Sequence, residues 1–84
     1  MFLVATKVTL TITASVFSRA RVVVARNGVL TITNADARPY VLTIGATPLR
    51  VPAKASRSLH LPQRGTFSNT CAKWPTLVSA VIVR

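Results

Sequence analysis

The sequence predicts an all-β chain, folded as a Greek-key β-sandwich of seven or eight short strands. Three observations carry this. Apolar and polar residues alternate with a period of two along nearly the whole chain, the spacing of a half-buried strand, and no segment has a helical period. Turn formers recur about every eight to twelve residues, as in sandwiches of short strands. Half of the 84 residues are apolar, chiefly Val, Leu, Ile and Ala, which suits one compact core and excludes disorder. The length corresponds to one domain over residues 1–84, and so short a chain buries only about 60–65% of its unfolded surface.

The elements follow in order. Val8, Leu10 and Ile12 alternate with Lys7, Thr9, Thr11 and Thr13 as a first strand, and Phe17 follows near a bend at Ser15 to Arg19. Arg21 to Ala25 is β-branched and closes on Asn27-Gly28, a strong turn signal because both residues tolerate positive φ. Val29 to Thr33 is the next strand, with Leu30 and Ile32 inward; Asn34 to Pro39 is a loop. Tyr40 to Ile44 resumes the strand and Gly45 ends it. A proline-bracketed stretch, Thr47 to Pro52, holds a short edge strand around Leu49 to Val51. Ala53 to Ala55 turns the chain. Ser56 to Leu61 alternates, with Leu59 and Leu61 inward and His60 outward. After a turn at Pro62 to Gly65 come a strand from Thr66 to Cys71, a loop from Cys71 to Leu77, and a nearly all-apolar strand from Val78 to Val83.

The charge is extreme. Eleven Lys and Arg face one acid, Asp36, for a net charge of +10. Such a field implies an acidic partner, and eight of the eleven cations are Arg, which suits pairing with carboxylate or phosphate. The cations are spread along the chain, so this is not a basic tail. Candidate contacts for an acidic partner are Arg19, Arg21, Arg26, Arg50, Arg57 and Arg64. The single cysteine excludes an internal disulfide and fits a reducing compartment. The N-terminal MFLVATKVTLTIT lacks a basic region before its apolar run and alternates with threonine, so no signal peptide is expected. No stretch reaches the ~18 apolar residues of a membrane span. The expected place is the cytoplasm, with release by lysis or assembly, as for a virion component.

Read together, these motifs resemble the cupredoxin family of type I copper proteins, from about Val8 to Val83. The resemblance rests on ITASVFSRARVVVARNG, with Phe17 before a bend and Gly28 at a turn. It continues in LTITNADARPYVLTI, with Asn34, Asp36 and Pro39, and in Val51-Pro52-Ala53 before the serine-rich strand. It ends in a Gly-x-aromatic-x-aromatic-x-Cys pattern, here Gly65, Phe67, Asn69 and Cys71, followed by Trp74-Pro75 and Leu77. The resemblance implies a copper site of two imidazoles, a thiolate and a weak axial thioether. Tyr40 stands where it implies the first histidine, Trp74 the second and Leu77 the methionine; only Cys71 matches. Indole and isobutyl groups do not bind Cu(II), and a neutral phenol binds it poorly, so no cofactor is expected. Cys71 then reads as a small buried hydrophobe and His60 as a solvent-facing histidine on another strand.

Tyr40, Trp74 and Leu77 are therefore expected to form a hydrophobic cap at one end of the sandwich. Either they close the core, or with Arg38 and Lys73 they form an exposed anchor for a partner. No enzyme signal is present: one acid makes no carboxylate pair, one His and one Cys make no triad, zinc would lack ligands, and there is no Gly-rich phosphate loop. The leading expectation is a structural or interaction module that binds an acidic protein surface in a larger assembly, for example as a decoration or cement protein of a phage or virus particle. Non-specific nucleic-acid binding is an alternative on charge, though aromatic residues for stacking are few. Electron transfer at an atypical copper site is the other alternative.

Overall fold

The alternation resolves into two sheets packed face to face in this computed structural model, which describes residues 5–84. Residues 1–4, within the N-terminal stretch read as lacking a signal peptide, lie outside the described residues. The strands are β1 (Lys7–Thr13), β2 (Val16–Phe17), β3 (Arg21–Val24), β4 (Gly28–Asn34), β5 (Tyr40–Ile44), β6 (Thr47–Val51), β7 (Ser56–Leu61), β8 (Gly65–Thr70) and β9 (Val78–Val83). One sheet has the order β2-β1-β4-β7 and the other β3-β9-β8-β5-β6. The pairs β1–β4 and β3–β9 are parallel and the rest antiparallel. No described helix is long and apolar enough to cross a membrane.

Inward positions follow the period of two. Leu10, Ile12, Leu30 and Ile32 of one sheet meet Leu42, Val51, Val81 and Val24 of the other, all fully buried. Burying each such side chain contributes about 1.5–3 kcal/mol, the main stabilising term for a chain without a disulfide. The core also holds an opposed polar pair, Asn69 on β8 and Ser79 on β9, whose side-chain polar atoms lack hydrogen-bond partners. The outer face of the four-stranded sheet carries hydroxyl ladders instead, Thr31 to Ser58 at 3.0 Å and Thr33 to Ser56 at 2.9 Å.

Two local features depart from the sequence expectation. The described strands number nine, because the segment read as a bend contains β2. Ala14 and Ser15 join β1 to β2 as a two-residue turn with φ of 53° and 61°, a left-handed conformation that side-chain-bearing residues seldom take. Ala-Ser is not a recognisable signal for such a turn. The second departure is at Asn27-Gly28, where only Asn27 takes positive φ, at 67°. That turn does not make a hairpin; it carries the chain from β3 in one sheet to β4 in the other. Gly28 is required for space: a Cβ there would lie 2.7 Å from the carbonyl oxygens of Ala25 and Thr6 and 2.8 Å from Val24 Cγ1.

Gly28→Ala should therefore lower stability by about 1–3 kcal/mol. Urea denaturation reads this as a lower midpoint at unchanged slope; an unaltered midpoint would mean that the sheet crossover relaxes freely.

Candidate functional site

Four connections converge at one end of the sandwich: the Ala14-Ser15 turn, residues 35–39, residues 52–55 and residues 71–77. Asn34, buried at the end of β4, ties two of them together. Its side-chain amide donates to the carbonyls of Arg38 at 2.7 Å, Val51 at 3.3 Å and Pro52 at 3.1 Å, and its Oδ1 accepts from the Asp36 N–H at 2.9 Å. Lys54, with φ of 58°, donates its ammonium to the Ala35 carbonyl. Thr76 Oγ1 donates to the Ser15 carbonyl at 2.6 Å, joining the last loop to the first turn.

Asp36 is the hub. Its carboxylate accepts from the N–H of Ala14 at 2.8 Å, the N–H of Ser15 at 3.1 Å and the Tyr40 hydroxyl at 2.6 Å. The single phenolic proton is used on Asp36, so the 2.9 Å contact between Ser15 Oγ and Tyr40 Oη has serine donating. The Tyr40 hydroxyl, followed by the Ser15 and Ala14 N–H groups, holds the Asp36 carboxyl below its ordinary value; partial burial opposes this and Arg38 assists. Burial, then the hydrogen bond to Asp36, pushes the Tyr40 phenol above its ordinary value.

The cap residues come together, but with different exposures. Tyr40 and Leu77 are fully buried, and Cys71 is a buried free thiol. Tyr40 and Leu77 were expected among the exposed partner contacts; the sandwich covers them itself, because Tyr40 lies on an inward position of β5 and Leu77 packs into the core. The expected hydrophobic cap is also polar at Tyr40, whose hydroxyl ends in the Asp36 network. Trp74 alone remains half-exposed. Backbone bonds place it: Trp74 N–H donates to Cys71 O at 3.2 Å, and Leu77 N–H to Trp74 O at 2.9 Å around Pro75. Its ring meets Tyr40 edge to face at 6.2 Å, and the Arg38 guanidinium lies 4.5 Å from the ring centre. Beside it a groove of about 340 Å³ is lined by Pro39, Val41, Arg50, Lys73 and Trp74, with Val41 57% exposed and Val78, on the same sheet, 56%.

All eleven lysines and arginines are exposed. Arg50 and Lys73 line the Trp74 groove, and Arg38 lies over the Trp74 ring. Arg19 and Arg21 stand at the start of β3, Arg57 on β7, and Arg26 and Arg64 in or beside turns at the far end of the sandwich. The six arginines proposed as partner contacts thus do not share one face. His60 is exposed, as its parity implies. Sequence reading missed the contact between Asp36 and Ser15, because it spans 21 residues.

No family model and no curated protein sequence matches the chain. Among solved structures it is similar to an oxidised methionine-to-leucine variant of amicyanin, a cupredoxin, with a TM-score of 0.79 at 20% identity over 92% of this chain and 81% of that one. A methionine-to-alanine variant of amicyanin in the Cu(I) form gives 0.80 at 18% identity, over 98% and 86%. Amicyanin from Paracoccus versutus (Thiobacillus versutus) gives 0.80 at 14% identity, over 96% and 90%. The chain therefore has a cupredoxin-like fold.

Copper, which that fold family implies, does not fit the residues gathered here. The cluster offers one thiol, a phenol whose oxygen is engaged by Asp36 and Ser15, an indole and an isobutyl group. The described residues contain no group of three or more His, Cys, Asp or Glu able to hold a metal ion.

The two shifted groups set the pH dependence. A depressed carboxyl contributes stability above the unfolded value of about 3.9 that is lost as pH falls through its folded value. A raised phenol contributes stability below about 10 that is lost as pH rises through its folded value. Stability measured against pH should fall on both flanks, and Tyr40→Phe should lower the plateau, flatten the acid limb and remove the tyrosine part of the alkaline limb. Unchanged limbs in that variant would refute the network.

Proposed function

We propose that the protein is a non-enzymatic interaction module that docks on an acidic protein surface through the Trp74 end of the sandwich. The carrying observation is the half-exposed indole of Trp74, held between Tyr40 and Arg38 beside a groove walled by Arg50 and Lys73. An aromatic anchor with arginine around it has the composition of a binding hot spot. The net charge of +10 supplies attraction and orientation toward an acidic partner, and its effect is sensitive to salt. The partner contacts under this proposal are Arg38, Lys73, Trp74 and Arg50. Tyr40 and Leu77 act from beneath, by holding Trp74 in place. A large assembly such as a phage or virus particle, entered from the cytoplasm, is the setting we infer for that acidic surface from charge and size.

The same proposal treats Tyr40, Trp74 and Leu77 as replacements at the positions that hold copper ligands in the resembled family. Amicyanin's Cu(I) form and the shared fold favour an electron-transfer reading; the donor chemistry weighs against it. Nucleic-acid binding draws on the same charge, but Tyr40 and Phe17 are buried, and among the described residues only Trp74 and the half-buried Phe67 offer rings.

Trp74 is the only tryptophan, so its fluorescence reports the site directly. Titration with poly-L-glutamate should change its emission in a salt-dependent way, and Arg38→Ala with Lys73→Ala should weaken the titration about tenfold or more, a loss of ~1.4 kcal/mol. Emission indifferent to the polyanion would reject the docking end. Separately, Cu(II) added to the reduced protein should produce no intense visible charge-transfer band. Such a band would restore the electron-transfer reading.

A further inference from the structure

A second binding element lies away from the Trp74 end, on the free edge of β7. The four sheet edges are unequal. β2 and β3 are two and four residues long. β6 carries Pro48 within the strand and Pro52 just beyond it. β7 has six residues, no proline and, among the described residues, only β4 as a strand neighbour. Natural sheets protect edges of this kind, because a row of unpaired N–H and C=O groups is a template for another strand.

The free groups can be assigned. The Ala55 carbonyl accepts from Asn34 N–H and the Leu61 carbonyl from Asn27 N–H, both at 2.8 Å and both at the ends of β4. Backbone direction alternates along a strand, so odd-numbered residues turn their polar groups toward β4. Ser56, Ser58 and His60 turn theirs outward. The Ser56 carbonyl is taken by the guanidinium of Arg57 at 2.9 Å; among the described residues no other hydrogen bond meets the outward groups.

Beside this edge the two sheets leave a seam. Leu59 of β7, Leu49 of β6 and Phe67 of β8 lie on inward positions yet are only partly buried. At its far end is an apolar pocket of about 280 Å³ lined by Ile44, Leu59, Leu61, Pro62 and Phe67, with His60 at the rim. A free edge beside an apolar pocket is the arrangement used in strand addition: backbone hydrogen bonds give affinity, and a pocket selects a side chain.

We propose that β7 receives an extended acidic segment of a partner protein as a fifth strand of the β2-β1-β4-β7 sheet, with one apolar side chain in this pocket. Charge selects that occupant. A second copy of the chain would bring another net +10 alongside the first. A segment bearing carboxylates is attracted by the same field, and Arg57, already at the edge, can exchange the Ser56 carbonyl for a carboxylate. The site shares the acidic partner of the Trp74 reading but none of its residues, so either can fail alone.

The test is amide hydrogen exchange resolved by NMR, with a short blocked peptide of alternating glutamate and valine as probe and its glutamine counterpart as control. In the free protein the Ser58 and His60 amides should exchange fast and those of Leu59 and Leu61 slowly. The glutamate peptide should slow Ser58 and His60 about tenfold or more, and the glutamine peptide less. Ser58→Pro removes one outward N–H without breaking a backbone bond to β4 and should abolish the effect, whereas Ser58→Ala, which loses only the shared hydroxyl contact with Thr31, should retain it. Four results would overturn the inference: no protection at millimolar peptide; equal protection by both peptides; perturbation confined to Trp74, which would leave the Trp74 reading standing; or protection that grows with protein concentration alone, which would make a second copy the occupant.

Discussion

The organisation of the Trp74 end depends on one carboxylate. Asp36 is the only acid in the chain, and it neutralises little of the surface charge. Its oxygens are spent inside the fold, on two backbone N–H groups and a buried phenol. The Ala14-Ser15 turn is held in a left-handed conformation that costs about 1–2 kcal/mol per residue, and charge-assisted hydrogen bonds from those same residues offset that cost. Tyr40, fixed by the same carboxylate, then supports the edge of the Trp74 ring. Strain in one turn, a lone acid in a second loop and a half-buried indole in a third are thus one mechanical unit.

Much of this fold was legible because a sandwich writes its two faces into alternate residues. The inward sets on β1, β4 and β7 are those the alternation names, and the edge position of β6 follows from its prolines. What was hidden is what depends on distant partners. β2 exists because Asp36 reaches back to a turn that Ala-Ser would not choose alone. Asn27-Gly28 has the composition of a hairpin turn, yet its glycine is needed because two carbonyls and a valine methyl crowd the position. At the site, the convergence of Tyr40, Cys71, Trp74 and Leu77 was implied only by the family resemblance. Their division into buried support and exposed anchor was not, since a phenol reads as apolar until its hydroxyl partner is known.

The surface has a consistent logic. Every cation is exposed and the single anion is consumed internally, so the exterior presents almost uniform positive charge. Under such a field, specificity has to come from shape and from apolar contact, and both are local: Trp74 with Val41 at one end, the β6–β7 seam along one side. The outer face of the four-stranded sheet, by contrast, is lined with serine and threonine hydroxyls that satisfy one another across strands. It is the quiet side of the molecule.

The parallel pairing of β3 with β9 bears on the order in which the protein can assemble. β3 precedes β9 by more than fifty residues, yet β9 is its sheet neighbour among the described residues, and beyond the strands Arg26 N–H donates to the Arg84 carbonyl at 2.7 Å while Arg84 N–H donates to Val24 O at 3.0 Å. A ribosome releases β3 long before β9. Until β9 emerges, β3 has no ladder to join, and the sheet it will border is incomplete. The nascent chain therefore carries a β-branched segment, Val22-Val23-Val24, as an unpaired strand until β9 emerges, and closure of the sandwich waits for that strand.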